Sequence, residues 1–167
     1  MSRVQLSLRI RSWQAHQEFV LILVLAIVFR LSAILVFRPG GYIGEMSDFG
    51  YYRLLLSFTN QGYYPLIDFW IEYPPIFPWL MVGLYRLSLL IPAWSEPGAW
   101  FYLLVSAVLV MVEAGTLIIF YAISRRLYDQ KRAVRLAWTY MALLVPVLTL
   151  FTGFDGLSLL FLLWAVC

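Results

Sequence analysis

Histidine and cysteine are almost absent from this chain: His16 and Cys167 are the only ones among 167 residues. A disulfide within the chain is therefore excluded, as is a metal site built on cysteines. A single histidine, placed in a polar N-terminal tail, cannot supply a Ser-His-Asp or Cys-His arrangement. Charge is scarce too. Only 13% of residues are charged, about half the share usual in a soluble domain. Pro- or Ser-rich linkers, low-complexity tracts and internal repeats are missing, which points to a single domain over residues 1–167. Any chemistry must rest on carboxylates, arginines and backbone groups.

What the chain has in quantity is apolar surface. Hydrophobic residues make up 63% of it, and the mean hydropathy is +0.83. A soluble fold of this length cannot hide so much, so the composition calls for lipid, and the expected class is an all-α, multi-pass membrane protein. The net charge of +3 comes mostly from two basic clusters flanking apolar runs. That pattern sets membrane orientation and does not suggest nucleic acid.

Three runs are long enough to span: Phe19–Phe37, Phe101–Ile123 and Val134–Phe151. The first exceeds the roughly 7–15 residues of a signal-peptide core and has no small-x-small cleavage site after it. It is expected to stay as an anchor. A further helix begins near Gly156 and reaches Cys167, too short to cross a core that needs about 20 residues. The chain is therefore expected to be the N-terminal part of a longer protein.

Charge arbitrates the ambiguous run Ile76–Pro92. The tail carries Arg3, Arg9 and Arg11, and Ser124–Arg135 carries Arg125, Arg126, Lys131, Arg132 and Arg135. Both basic stretches are expected in the cytoplasm. An even number of crossings must separate them, so Ile76–Pro92 is expected to lie in the outer interface. Residues 38–99 then form one long extracytoplasmic loop. Within it, Ser47 or Asp48 can cap a short helix that ends before Gly62. The loop aromatics, among them Trp70, Trp79 and Trp100, suit a headgroup belt, or sugar stacking for a few of them.

Four groups of residues could carry chemistry. Asp48 begins Asp48-Phe49-Gly50-Tyr51-Tyr52-Arg53, and reads as an ordinary cap or as a directed carboxylate. Asp68 and Glu72 sit four apart before Tyr73-Pro74-Pro75, a rigid turn that redirects the chain or aims a carboxylate. Asp155 lies between Gly153 and Gly156 in the next outer loop, and the topology returns it to the side of Asp48. Arg30 and Glu113 fall near the middle of two spans, where an ionisable group needs a partner. An ion pair clamping the helices is the expectation; in a transporter the same two would belong to a substrate path.

In this order, the features resemble the N-terminal module of GT-C glycosyltransferases, polytopic enzymes that use polyprenyl-phosphate sugars. The run Asp48-Phe49-Gly50-Tyr51-Tyr52, then Gly62-Tyr63-Tyr64-Pro65 and Asp68–Pro75, then Pro146 and Gly153-Phe154-Asp155-Gly156, is most similar to the bacterial branch with polyprenyl-phosphate-mannose donors. The resemblance implies a long first outer loop with juxtamembrane helices. It implies transfer of a hexose to an acceptor hydroxyl, with Asp48 as general base and Asp155 as a second catalytic acid. Arg53, Tyr51, Tyr52, Asp68 and Glu72 would contact substrate. Arg53, Arg38 and Arg86 are the local cations for the leaving phosphate. A lone Asp155 departs from the paired acids of metal-using members, so no metal and no other cofactor is expected. A transporter or flippase segment, or a non-catalytic membrane subunit, is the competing reading.

Overall fold

The computed structural model describes residues 3–37, 48–92, 96, 98–143 and 155–167, with the side chains of 3–15, Asp48 and Asp155 outside that description. These residues are helical apart from turns and one isolated bridge, Pro65 with Phe69. The helices are α1 (Arg3–Val36), α2 (Asp48–Ser57) continued by a 3-10 turn (Phe58–Gln61), α3 (Ile76–Leu89), α4 (Ala99–Leu127), α5 (Gln130–Ala142) and α6 (Asp155–Val166).

Among the described residues, two stretches are long and apolar enough to cross a membrane, His16–Val36 and Ala99–Leu127. At about 1.5 Å per residue the first covers roughly the 30 Å of a hydrocarbon core. On α1, Phe19, Ile22, Ala26, Arg30 and Ala33 form a buried stripe. The other faces carry exposed Leu21, Val24, Val28, Phe29 and Leu35. A helix at a water surface would be polar there. The spanning stretch His16–Val36 lies close to the expected Phe19–Phe37, and the helix extends back from it to Arg3. No glycine or proline interrupts residues 3–36, and the arginines and leucines of the tail favour helix, so nothing stops it earlier.

α4 is the central element and touches α1, α3, α5 and α6. Contacts with α1 fix an antiparallel register. Phe19 stacks on Tyr121, centroids 3.8 Å apart. Arg30 meets Glu113, and Ile34 joins the cluster around Phe101 and Tyr102. The two halves of α4 are covered differently. The half nearer Ala99 packs α2, α3 and the turn between them. The half nearer Leu127 packs Ala133, Val134 and Ala137 of α5.

The short elements have clear local causes. Gly62 closes the 3-10 turn with φ +90°, a left-handed cap that suits glycine. Pro75 opens α3, where a proline loses no helical hydrogen bond. α3 buries Phe77, Pro78, Met81, Val82 and Tyr85, the spacing of one helical face. It ends at Leu89, three residues short of the expected Pro92. Arg86 Nη2 donates to the Thr59 carbonyl at 2.6 Å, and Asn60 Nδ2 to Tyr85 Oη at 3.0 Å. These bonds tie α3 to the 3-10 turn.

α5 also departs from expectation. Asp129 Oδ1 accepts from the Arg132 N–H at 3.1 Å, so this cap starts the helix at Gln130, ahead of Val134. The helix ends at Ala142, and residues 144–151 of the expected span lie outside the described ones. α6 runs in the same direction as α4. A Cβ on Gly156 would sit 3.8 Å from Val112, and one on Gly115 would sit 3.2 Å from Leu160. At the far end Arg126 donates to the Cys167 carbonyl.

Candidate functional site

The segment between the two long helices holds most of the residues singled out by sequence. Asp48 is the first residue of α2, and its side chain is outside the described ones. The next residue, Phe49, packs edge-on against Tyr102 of α4, centroids 5.3 Å apart. Tyr51 is exposed and Tyr52 buried. The Tyr52 hydroxyl donates to Glu72 Oε1 at 3.2 Å, so two expected substrate residues hold each other. Asp68 is engaged locally: its Oδ2 accepts from the Tyr64 N–H at 2.7 Å. It thereby stabilises the turn in which Leu66 takes φ +65°, a region costly for a non-glycine residue.

Arg53 lies elsewhere on α2, against the start of α4. Its guanidinium covers Gly98, where an added Cβ would come within 2.6 Å of Nη1. Gly98 has φ +91° and immediately precedes Ala99. Glycine satisfies both demands of this joint, the left-handed backbone and the close approach. Between α2, α3 and the start of α4 is a cavity of 520 Å3. Arg53, Ser57, Tyr85, Ser88, Glu96 and Trp100 supply its polar lining, and Leu54, Leu89 and Ile91 its apolar wall. Arg53 has no hydrogen-bond or ion-pair partner among the described residues. Glu96 shares the cavity without pairing with it.

The cavity can accept a ligand that is anionic at one end and apolar at the other. Arg53 sits beside the first turn of α4, whose N–H groups add partial positive charge. The sequence made Arg53 a candidate cation and Trp100 one of the loop aromatics; it offered no hint of Gly98 or Ser88. Their convergence depends on how α2, α3 and α4 pack. Arg38 lies outside the described residues, and Arg86 is turned to Thr59.

Asp155 is the largest departure. It opens α6, and its side chain is outside the described ones. Gly156 sits beside Val112, whereas Phe49 sits beside Tyr102. Ten residues of α4 separate these levels, about 15 Å along its axis. The starts of α2 and α6 therefore do not share one rim of the bundle. Small residues, Gly156 and Gly115, seat α6 against the middle of α4.

That middle level holds the charged pair. Arg30 Nη2 lies 3.3 Å from Glu113 Oε2, with side chains 3% and 8% exposed. Arg30 Nη1 also donates to the Ala26 carbonyl at 3.3 Å, while Nε has no partner among the described residues. Tyr140 of α5 lines the same small cavity as Arg30 and Glu113. His16 leaves the tail to meet Tyr121 and Arg125 at the opposite end from the cavity.

Comparison with protein families, with characterised proteins and with solved structures finds no match. The functional reading therefore rests on the chain's own residues.

Proposed function

We propose that this chain belongs to a multi-pass membrane glycosyltransferase of the GT-C kind. It would move a hexose, mannose by resemblance, from a polyprenyl-phosphate sugar to an acceptor hydroxyl on the extracytoplasmic side. The observation that carries the reading is the cavity at the joint of α2, α3 and α4, with its apolar wall and an Arg53 that has no partner among the described residues. A lipid phosphate combines the two properties that this lining complements. Asp48 stands five residues before Arg53 on the same helix, about 7.5 Å of rise.

In the reaction the acceptor oxygen bonds to the anomeric carbon, and the bond from that carbon to the phosphate oxygen breaks. The phosphate leaves with the electron pair, and the acceptor hydroxyl gives up its proton. In this proposal Asp48 takes the proton and Arg53 stabilises the charge that grows on the phosphate. An ordinary aspartate is a weak base at neutral pH. That suffices when the proton is lost late.

The test is single-turnover transfer by detergent-purified full-length protein, offered a panel of polyprenyl-phosphate sugars. Asp48→Asn caps a helix about as well but accepts no proton, and is expected to lose about 10²–10⁴ in rate with donor affinity kept. Near-wild-type turnover in a folded Asp48→Asn protein would sink its role. Failure to bind every donor in the panel would sink the transferase reading.

One observation favours a second reading, a transporter segment. Arg30, Glu113 and Tyr140 meet at mid-length of α4, where α5 ends and α6 begins. Polar groups between interrupted helices mark substrate paths in transporters. Substitution of Glu113 would then abolish transport, while Asp48 and Arg53 would be dispensable.

A further inference from the structure

At the end of the bundle remote from the cavity, α4 turns into α5 through Tyr128 and Asp129. α5 buries Ala133, Val134 and Ala137 against α1 and α4. Its outer face carries Arg132, Arg135, Trp138 and Thr139, all exposed. A shallow groove of 380 Å3 lies there, lined by Tyr128, Arg132, Arg135, Leu136 and Thr139.

The two arginines line the same groove, three residues apart on one helix, a spacing at which side chains share a face. Asp129 does little to neutralise them. It caps α5, and its Oδ1 is 3.8 Å from Arg132 Nε with both side chains about two-thirds exposed, a pair worth little. Arg135 has no side-chain partner among the described residues. Two adjacent like charges repel unless an anion lies between them. Paired guanidinium groups suit the oxygens of a phosphate diester. The rest of the surroundings is apolar or amphipathic: Leu127 is 67% exposed, Tyr128 49% and Trp138 40%, and Leu136 lines the groove.

We propose that this groove binds the phosphodiester headgroup of an anionic glycerophospholipid. Arg132 and Arg135 would hold the phosphate, and Leu136, Tyr128 and Trp138 would flank the glycerol and the first carbons of the chains. The site is separate from the cavity at Arg53, and the proposal rests on the membrane reading, though not on the transferase chemistry.

The experiment titrates detergent-purified full-length protein with phosphatidylglycerol or phosphatidylcholine and counts retained lipids by native mass spectrometry. Two basic residues at about 1 kcal/mol each predict a preference for phosphatidylglycerol of about 30-fold, roughly 2 kcal/mol in total. The double variant Arg132→Gln/Arg135→Gln is expected to lose it. Arg125→Gln/Lys131→Gln removes the same charge outside the groove and is expected to keep it. If the first pair does not fold, Arg135→Lys is read instead; it keeps charge, loses the planar fork, and is expected to weaken retention several-fold. Equal retention of both lipids by the wild type overturns the proposal. So does an equal loss in both double variants, which would make the general field the cause. Competition by glycerol phosphate at the same concentration as the lipid also overturns it, by showing a free-phosphate site. A protein that stays soluble without detergent would sink the membrane reading as well. Failure to transfer sugar with the lipid preference intact would sink only the transferase.

Discussion

Arg30 carries a full charge into the buried interior of the bundle. A buried guanidinium is tolerable when its charge and donors are met, and here Glu113 and the Ala26 carbonyl meet it, with Tyr140 lining the same small cavity. Glu113→Gln leaves Arg30 without its countercharge. It is expected to destabilise the bundle by a few kcal/mol at most, since inserting an arginine costs about 2.5–3.5 kcal/mol. Adding Arg30→Met is expected to recover part of that loss. Unfolding in detergent across the four proteins of this cycle gives the coupling, and strict additivity would mean that the two residues are not partners. The pair was legible in the sequence because two isolated charges at matching depth in apolar runs have few other solutions. Tyr140 was not legible, since one phenol in an apolar run says nothing until the register of α5 against α4 is known. Glu72 and Asp68 were legible as notable acids, but their engagement by Tyr52 and by the Tyr64 amide depends on a turn that the sequence does not specify.

Among the elements, the joint between α2 and α4 has the sharpest local requirement. Gly98 combines φ +91° with a guanidinium packed where a Cβ would stand. Gly98→Ala is expected to cost about 1 kcal/mol or more through the backbone alone, and to displace Arg53 as well. Donor affinity is expected to fall in a protein whose helix content is unchanged; unchanged affinity would remove Arg53 from the site. Local signals located the short elements well. Gly62 closes the turn after α2, and the proline pair opens α3, because such stops act through their own backbone. The start of α5 was read less well, and the helix of α1 runs further back than its apolar run. Apolar length marks where a helix can lie in lipid, whereas helix formers and the Asp129 cap decide where the backbone starts to coil.

For the whole molecule, the decisive property is polarity. The segment from α2 to α3 packs at one end of the α1–α4 pair, and the basic turn between α4 and α5 at the other. This arrangement is the one the charge clusters call for if α1 and α4 cross a bilayer. Gln61→Cys and Lys131→Cys, each in a Cys167→Ser background, are expected to label from opposite sides of sealed membranes. Labelling of both from outside would overturn the orientation. The class of fold was legible because apolar period and length are local quantities. The relation of Asp48 to Asp155 was not, because counting crossings assigns a side but no depth. The depth of α6 is set by Gly115 and Gly156, which the sequence shows only as two small residues.

The clamp between α1 and α4 also has a history in time. Its partners lie 83 residues apart, a stretch that takes roughly 4 to 17 s to synthesise at about 5–20 residues per second. If α1 crosses a bilayer as proposed, Arg30 meets it before Glu113 exists. The leucines, valines and phenylalanines around it must carry the first helix in unaided, and the acid arrives afterwards to neutralise a charge already committed. Entry of α1 is indifferent to Glu113, while its docking is not. Nascent chains halted between the two would hold a helix that is inserted but not yet locked.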